Sequence, residues 1–159
     1  SAAVDTVTGS TRADVIDGGL GDDVIDGNGG ADTLTGGLGA DDFAFTAGDT
    51  GQTVATAVTI TDFVSGTDDI VLGNGFVALA QADGAANSFA DFLVNAAAAL
   101  AGVAGGNGDA YSEFNLGGSG DTYLFIDENG DDAVSATDTL LILSGLDTAA
   151  GLVGANDII

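Results

Sequence analysis

The 159 residues of this chain suit one domain, or a repeat module with one compact partner, and not two large domains. The chain has 25 acidic residues and a single basic one, Arg12, which gives a net charge of −24. This charge makes nucleic acid and anionic membranes poor partners, and it opposes compaction unless cations neutralise it. Hydrophobic residues make up 45% of the chain, which excludes an acidic disordered tail, and the absence of Cys and His leaves only oxygen donors for a metal, which suit Ca²⁺ above all.

The start of the chain, residues 1–11, contains neither a basic segment nor an apolar one, so we expect no Sec signal peptide there. No apolar run in the sequence approaches the roughly 20 residues of a membrane span, and we expect no membrane insertion. Because the sequence does not begin with Met, we expect it to be a fragment or a processed product.

A nine-residue repeat begins at Gly9 and runs through four copies without a change of register. The copies are Gly9–Asp17, Gly18–Asp26, Gly27–Thr35 and Gly36–Ala44. Position six is Asp14, Asp23, Asp32 or Asp41, and position eight is Ile16, Ile25, Leu34 or Phe43. The pattern resembles the RTX nonapeptide G-G-x-G-x-D-x-U-x, in which U is a large apolar residue, and it indicates a parallel β-roll.

The spacing of the repeat has a physical reason. Six glycine-rich residues can form a tight turn with exposed carbonyls, and the last three can form a short strand whose middle side chain points inward. Successive turns then alternate between two sides of the roll, so that Asp14 faces Asp32 and Asp23 faces Asp41. Each pair, with the turn carbonyls around it, would make a Ca²⁺ site, and we expect at least two interior ions. The glycines assigned to these sites are Gly18, Gly19, Gly21, Gly27, Gly30, Gly36, Gly37 and Gly39.

Two other interpretations of the repeats are a glycine-rich loop with scattered acids and a solenoid without metal, but four copies in one register favour the calcium roll. The first copy has Ser10 and Arg12 in place of glycines and is expected to be an end cap. Three-residue strands bury little, and unneutralised carboxylates would face one another, so calcium binding should supply the free energy of folding. The segment should stay extended where Ca²⁺ is scarce and fold outside the cell, at roughly millimolar Ca²⁺, which makes it a secretion switch.

After the repeats, residues 58–72 contain two short apolar strands around a polar turn, which we interpret as an extension of the roll with Asp68 as a further candidate ligand. The roll followed by I-T-D-F-x-x-G-x-D-x-I-x-L resembles the C-terminal regions of serralysin-type proteases and of RTX S-layer proteins and adhesins. The resemblance covers most of residues 9–72, and it implies a capped roll before an uncleaved C-terminal signal for a type I secretion machine. Asp69 stands where the proteases usually have Lys, which disfavours the protease branch.

Residues 88–103 are predicted to form an α-helix, with Ser88 as N-cap and Asp91 three positions later in the manner of a capping box. The apolar face of this helix would consist of Phe89, Phe92, Leu93, Ala96 and Leu100. A membrane helix or a partner-binding helix is the alternative. We favour packing of the apolar face on the roll, because the stretch is short and has no basic residues.

Two predicted strands, residues 122–126 and 139–143, flank an acidic loop and would form a hairpin over residues 122–143. The loop contains D-x-N-x-D, and counting as in an EF-hand gives the ligands Asp127, Asn129, Asp131, the carbonyl of Ala133, and Asp138. Asp132 replaces the usual Gly, Asp138 replaces the usual Glu, and strands replace the helices, so the loop resembles the EF-hand loop without its fold. We favour Ca²⁺ binding here over a solvated acidic turn. The stretch 117–121 mimics a shortened repeat, but it stands alone and is interpreted as a plain turn.

The sequence ends in Asp157-Ile158-Ile159, an acid followed by two aliphatic residues. This ending resembles the extreme C-terminus of type I secretion substrates, although a core strand would look similar. We expect these residues to be an export address and not a structural strand.

Catalytic residues are not expected in this chain. Without His or Cys there is no Ser-His-Asp triad, no Cys-His pair and no H-E-x-x-H zinc helix, and without Lys there is no P-loop. Paired carboxylates could in principle hydrolyse a glycoside, but most of the Asp residues are explained as ligands of the repeats. We therefore expect that the chain is not an enzyme in itself.

The sequence as a whole predicts a mainly β fold, a parallel β-roll extended and capped by further strands, a hairpin and one α-helix. Residues 1–72 would be the calcium-binding roll with capping strands, and residues 73–159 a capping and secretion-signal region within the same structural unit. The expected function is a calcium-dependent folding module, with several Ca²⁺ ions, at the C-terminus of a type I secreted bacterial S-layer protein or adhesin. The alternative is the same domain of a secreted hydrolase such as a serralysin-type metalloprotease. The expected location is extracellular or at the cell surface. The expected partners are the type I secretion machinery and either other copies of the chain, through calcium-mediated self-assembly, or a cell-surface glycan.

Overall fold

The computed structural model describes residues 3–46, 48–51, 53–73, 79–83, 88–100, 109–114, 120–127, 138–146 and 157–159. Within these ranges lie eleven β-strands in two sheets and one α-helix. The mainly β fold with parallel sheets that the sequence predicts is therefore confirmed. The described part of the chain has no helix that is long and apolar enough to span a membrane.

The smaller sheet has four strands, all parallel. Their order in the sheet is β1 (Thr6–Thr8), β3 (Val24–Asp26), β5 (Asp42–Phe45) and β7 (Asp69–Leu72).

The larger sheet has seven strands and is mixed. It begins with β2 (Val15–Leu20), β4 (Thr33–Leu38) and β6 (Val58–Ile60), which are parallel, and continues with β11 (Thr139–Leu143), β10 (Thr122–Asp127), β9 (Asp109–Phe114) and β8 (Leu79–Asp83). Strand β10 is antiparallel to both of its neighbours, and β11 runs parallel to β6. Strands β10 and β11 are the predicted hairpin.

Consecutive repeats lie in opposite sheets, and repeats two apart stack in register. Val15 pairs with Thr33 and Val24 pairs with Asp42, each across a separation of 18 residues. The extension predicted for residues 58–72 is also confirmed, because β6 continues the sheet after β4 and β7 continues the sheet after β5.

The core lies between the two sheets and follows from position eight of the repeat. Alternation along a strand turns position eight inward and position seven outward, and accordingly Ile25 is 0% exposed whereas Val15 is 86% exposed. The strands that follow the repeats contribute to the same core. Its buried members are Ile16, Ile25, Leu34, Phe43, Phe45, Val58, Ile60, Phe63, Ile70, Leu72, Leu124, Ile126, Leu141, Leu143 and Ile158.

A second apolar cluster covers the opposite face of β10 and β11, which explains why these strands are apolar at nearly every position. Helix α1 (Phe89–Leu100) packs on it through Phe92, whose ring centroid lies 5.9 Å from that of Tyr123. Ser88 Oγ accepts a hydrogen bond from the Asp91 N–H at 3.2 Å, as an N-cap does. The helix thus packs on the mixed end of the larger sheet. Residues 101–103 of the predicted helix lie outside the described residues.

The last three residues join the smaller sheet, and the prediction that they are not a structural strand is wrong. Ile158 forms a parallel bridge with Ile70, and the Ile70 N–H donates to Asp157 O at 2.6 Å. Ile158 is 1% exposed. The physical reason is that β7 would otherwise present an unpaired edge, and an acid followed by aliphatic residues can pair with that edge and fill the core beside it.

Candidate metal centre

The turns of the roll form two stacks, one on each side of the core. The Asp23 stack contains the turns that lead from the larger sheet to the smaller, residues 18–23, 36–41 and 61–68. The Asp14 stack contains turns 9–14 and 27–32, followed by loop 46–57. Each stack is named here by its first predicted ligand.

Hydrogen bonds join the position-six aspartates of each stack into a ladder. The Asp14 N–H donates to Asp32 Oδ1 at 2.9 Å, and the Asp23 N–H donates to Asp41 Oδ1 at 2.9 Å. The same bond continues from the Asp41 N–H to Asp68 Oδ1 at 3.1 Å. The predicted facing pairs are therefore neighbours in the structure, and Asp68 occupies the next step of the Asp23 stack.

The ladder has one member that the sequence analysis missed. The Asp5 N–H donates to Asp23 Oδ1 at 2.8 Å, so Asp5 stands one step before Asp23. Its signal was present in the sequence, because Asp5 lies nine residues before Asp14, where an additional degenerate repeat would have its position six.

The second carboxylate oxygen is the one available to a metal. Asp23 Oδ2 and Asp32 Oδ2 are buried and have no hydrogen-bond partner. A buried acceptor without a partner is unfavourable by about 1–3 kcal/mol relative to water, and a charged carboxylate oxygen by more. A hard cation would remove this penalty, so the two orphaned oxygens fit Ca²⁺.

Glycine at position one keeps the space beside these oxygens open. A Cβ on Gly18 would lie 2.8 Å from Asp23 Oδ2 and 2.8 Å from the carbonyl oxygen of Gly36 in the next turn. A Cβ on Gly9 would lie 3.1 Å from Asp14 Oδ2 and 2.5 Å from the carbonyl oxygen of Gly27. The glycine therefore leaves a gap between a carboxylate oxygen and a carbonyl oxygen, which are both calcium ligands.

Other predicted glycines allow the turns to approach each other. Gly37 has φ 106°, and a Cβ there would collide with the carbonyl oxygen of Gly19 in the turn below. Gly39 and Gly30 also have positive φ and abut the backbone of the turn below them, and Gly21, likewise with positive φ, abuts Ala3 in the segment before β1. A Cβ on Gly19 would meet nothing within 4 Å. The predicted glycines thus line the stacked turns, and their role as carbonyl ligands stays a prediction.

Burial disfavours the ionised form of the interior carboxylates. Desolvation, with smaller contributions from neighbouring carboxylates, raises the pKa of Asp32, Asp41 and Asp68. The pKa of Asp14 is lowered instead, first by the hydrogen bond from the Ser10 backbone N–H. The Ser10 N–H lies 2.6 Å and Ser10 Oγ 2.8 Å from Asp14 Oδ2, which fits the expected end cap, since the first copy of the repeat satisfies its own carboxylate.

A further carboxylate outside the repeats fastens the last turn of the Asp23 stack. Asp62 Oδ1 accepts the Gly36 N–H at 2.9 Å, and Asp62 Oδ2 accepts the Gly37 N–H at 2.8 Å. Asp62 belongs to the I-T-D-F motif, which the sequence analysis linked to a cap but not to this contact. It satisfies two consecutive backbone donors of the fourth repeat.

The predicted ligands of the hairpin loop are described only at its two ends. Asp127 and Asp138 are both 0% exposed, while Asn129, Asp131 and Ala133 lie outside the described residues. Among the residues that are described, no three acidic side chains are grouped as a metal site.

Comparison with known proteins agrees with this geometry. Residues 8–43 match the profile of the RTX calcium-binding nonapeptide repeat in four copies. The solution structure of the AlgE6R3 subunit from the Azotobacter vinelandii mannuronan C5-epimerase is similar over 98% of this chain and 77% of that one, with 25% sequence identity and a TM-score of 0.54. No curated protein matches the chain.

Proposed function

We propose that this chain, which carries four RTX calcium-binding repeats in a β-roll, is a calcium-dependent folding module of an exported bacterial protein. The observation that carries the proposal is the pair of buried, unpartnered oxygens, Asp23 Oδ2 and Asp32 Oδ2, in a chain with a net charge of −24. Such a site is unfavourable when empty and favourable with a cation, so metal binding and folding are coupled.

The two carboxylate oxygens of each position-six aspartate have different roles. The position-six aspartates use Oδ1 to fasten one turn to the next, and Oδ2 stays directed at the gap beside glycine. Bound Ca²⁺ ions supply the positive charge that these carboxylates lack. The acidic ligands would be Asp23 and Asp41 in the Asp23 stack and Asp32 in the Asp14 stack, each with the turn carbonyls around it. Without the ion, repulsion among the acids favours the extended chain.

We assign the module to the C-terminus of a type I secreted S-layer protein or adhesin. The support is the resemblance of residues 58–72 to such proteins, together with the near absence of basic residues. In a compartment poor in Ca²⁺ the chain would stay extended for passage through the exporter, and outside the cell it would fold. A passenger fused before this chain should then reach the medium when a matching type I exporter is present, and a fusion truncated from Asp109 onward should remain inside.

A second candidate is the same module attached to a secreted enzyme. The likeness to a subunit of the mannuronan C5-epimerase favours it, because that subunit is part of an enzyme. The full-length sequence discriminates between the two candidates. A catalytic domain beside the module would favour the enzyme, including a serralysin-type protease if it contains an H-E-x-x-H helix, whereas long repeat arrays would favour the surface protein.

Calcium titration followed by far-ultraviolet circular dichroism tests the proposal. The metal-free chain should contain little β-structure and should gain it at about millimolar Ca²⁺. Mg²⁺ is the matched control, and it should substitute poorly because it requires a small octahedral site and loses water reluctantly. A chelated sample with native-like dispersion in its NMR spectrum would contradict the proposal.

A further inference from the structure

Asp32 and Asp23, whose Oδ2 atoms are both buried without a partner, differ in what lies above them. The turn above Asp23 is another repeat, whereas the segment above Asp32 is loop 46–57, which contains no repeat. The Gly30 N–H donates to the backbone oxygen of Asp49 at 3.1 Å, so the first part of this loop rests directly on turn 27–32.

The orphaned oxygen of Asp32 can be compared with the same oxygen in the two preceding repeats. In the two preceding repeats, the carboxylate Oδ2 and the carbonyl oxygen of the turn above lie around the same point beside the position-one glycine. Asp32 Oδ2 occupies the corresponding place, 2.5 Å from the Cβ position of Gly27. Part of loop 46–57 takes the place of the turn above, through the bond from the Gly30 N–H to Asp49 O, and Asp32 Oδ2 is buried without a hydrogen-bond partner.

The gap below Asp32 is the poorer place for an ion. Asp14 would be the second carboxylate there, but its Oδ2 already accepts two hydrogen bonds from Ser10. Loop 46–57, above Asp32, carries a single carboxylate, that of Asp49. The charge of Asp49 contributes to raising the pKa of Asp32. Thr46 holds Asp49 Oδ2 through its N–H at 2.6 Å and its Oγ at 2.7 Å, which leaves Asp49 Oδ1 as the oxygen that can turn toward a ligand.

We propose that a calcium ion binds between turn 27–32 and residues 48–51, with Asp32 and Asp49 as its acidic ligands. This site rests on the proposed calcium binding of the roll and lies outside its repeat-to-repeat sites. Asp49 takes the place of the position-six aspartate that a further repeat would supply, so the calcium stack extends one step beyond the repeats. The loop is thereby fastened to the roll by the same kind of ion as the repeats.

Counting bound ions by native mass spectrometry, with affinities from isothermal titration calorimetry, tests this site. Asp49→Asn should bind one ion fewer than the wild type. Asp17→Asn is the control for charge, because Asp17 is exposed at an outward position, and it should keep the full count. Thr53→Val is the control for loop structure, because it removes the hydrogen bond between the Thr53 and Thr56 hydroxyls in the same loop and leaves Thr46 and Asp49 unchanged, and it should also keep the full count.

The outcomes separate this site from the function of the roll. If the wild type binds no calcium, the proposed function fails together with the site. If the wild type binds calcium and Asp49→Asn keeps every ion at unchanged affinity, or if Thr53→Val loses the same ion, only the site is overturned.

A measurement on the wild-type chain covers the case in which Asp49→Asn does not fold. Calcium should protect Asp49 from carbodiimide labelling while Asp17 stays reactive. Labelling of Asp49 as complete as that of Asp17 at saturating calcium overturns the site.

Discussion

A single aspartate of the repeat performs two separable tasks with its two oxygens. Oδ1 of Asp41 accepts the N–H of Asp23, and Oδ1 of Asp23 accepts the N–H of Asp5. Oδ2 of Asp23 has no such partner and lies beside the open gap at Gly18. Asparagine can keep the first contact and cannot supply the charge of the second, so it isolates the task of metal binding.

Asp23→Asn should therefore raise the calcium concentration at the folding midpoint about tenfold, a change of about 1.4 kcal/mol, because a buried anionic ligand becomes neutral. The measurement is a calcium titration followed by circular dichroism. Asp17→Asn removes the same charge at an exposed position and should change the midpoint little. Equal shifts in the two variants would mean that total charge, and not the geometry of the site, controls the transition.

The raised pKa values of the interior aspartates predict an unusual response to acid. Burial raises the pKa of Asp32, Asp41 and Asp68 above the value that each has in the unfolded chain. The folded state therefore binds protons more tightly, so protonation stabilises it, and this stability is lost as the pH rises through the raised pKa values. Asp14 has a lowered pKa and acts in the opposite direction.

The calcium-free chain should accordingly contain more β-structure at about pH 3–4 than at pH 7, with far-ultraviolet circular dichroism as the measurement. Combining Asp32→Asn and Asp41→Asn should flatten this pH dependence, because both side chains are then neutral throughout. In saturating calcium the dependence should reverse, since protons compete with the ion for the same oxygens. A metal-free chain that loses β-structure on acidification would contradict the assignment.

At the scale of elements, the separation between stacked turns depends on the absence of side chains. Gly19 and Gly37 both stand at position two of a repeat and have nearly the same φ, 99° and 106°. They differ in their surroundings, because a Cβ on Gly19 meets nothing within 4 Å, whereas a Cβ on Gly37 would collide with the carbonyl oxygen of Gly19. The two positions make a matched pair for close stacking.

Gly19→Ala should destabilise the calcium-loaded chain by about 1–2 kcal/mol, the strain of a left-handed alanine. Gly37→Ala should add about 1–3 kcal/mol to that strain, because the turns must move apart. Denaturant unfolding at saturating calcium measures both changes in the free energy of unfolding. Equal values for the two variants would show that backbone conformation alone explains these glycines.

The sequence predicts those elements whose turn and strand are both contained in a short local pattern of residues. The nine-residue period indicates β2 to β5 and the stacking of Asp14 on Asp32, because each repeat carries its own turn and its own inward side chain. Strand β8, with the sequence Leu-Ala-Gln-Ala-Asp, was not predicted, since it has no β-branched residue and takes its conformation from its pairing with β9. Asp49 and Asp62 were missed as functional residues for a related reason, because their partners are turns about 20 residues or more away, outside any local pattern.

At the scale of the whole molecule, one strand joins the roll to the rest of the chain. Strand β11 pairs with β6 through Leu141 and Val58, and its side chains Leu141 and Leu143 enter the core between the sheets. The Leu140 N–H also donates to Thr50 Oγ1 at 2.8 Å. Removing calcium should therefore affect the hairpin as well as the repeats, since the two share a sheet and a core.

The docking of the last three residues has a consequence for the order of events in time. Stacked repeats contact each other across 18 residues, whereas Ser65 Oγ donates to Asp157 Oδ2, at 2.6 Å, across 92 residues. Closing the longer loop has the larger entropy barrier, so on addition of calcium the repeats should stack in a fast phase and the terminus should dock in a slower one. In stopped-flow circular dichroism, Asp157→Ala should leave the fast phase unchanged and weaken or remove the slow one. Between the two phases the terminus stays exposed to other molecules.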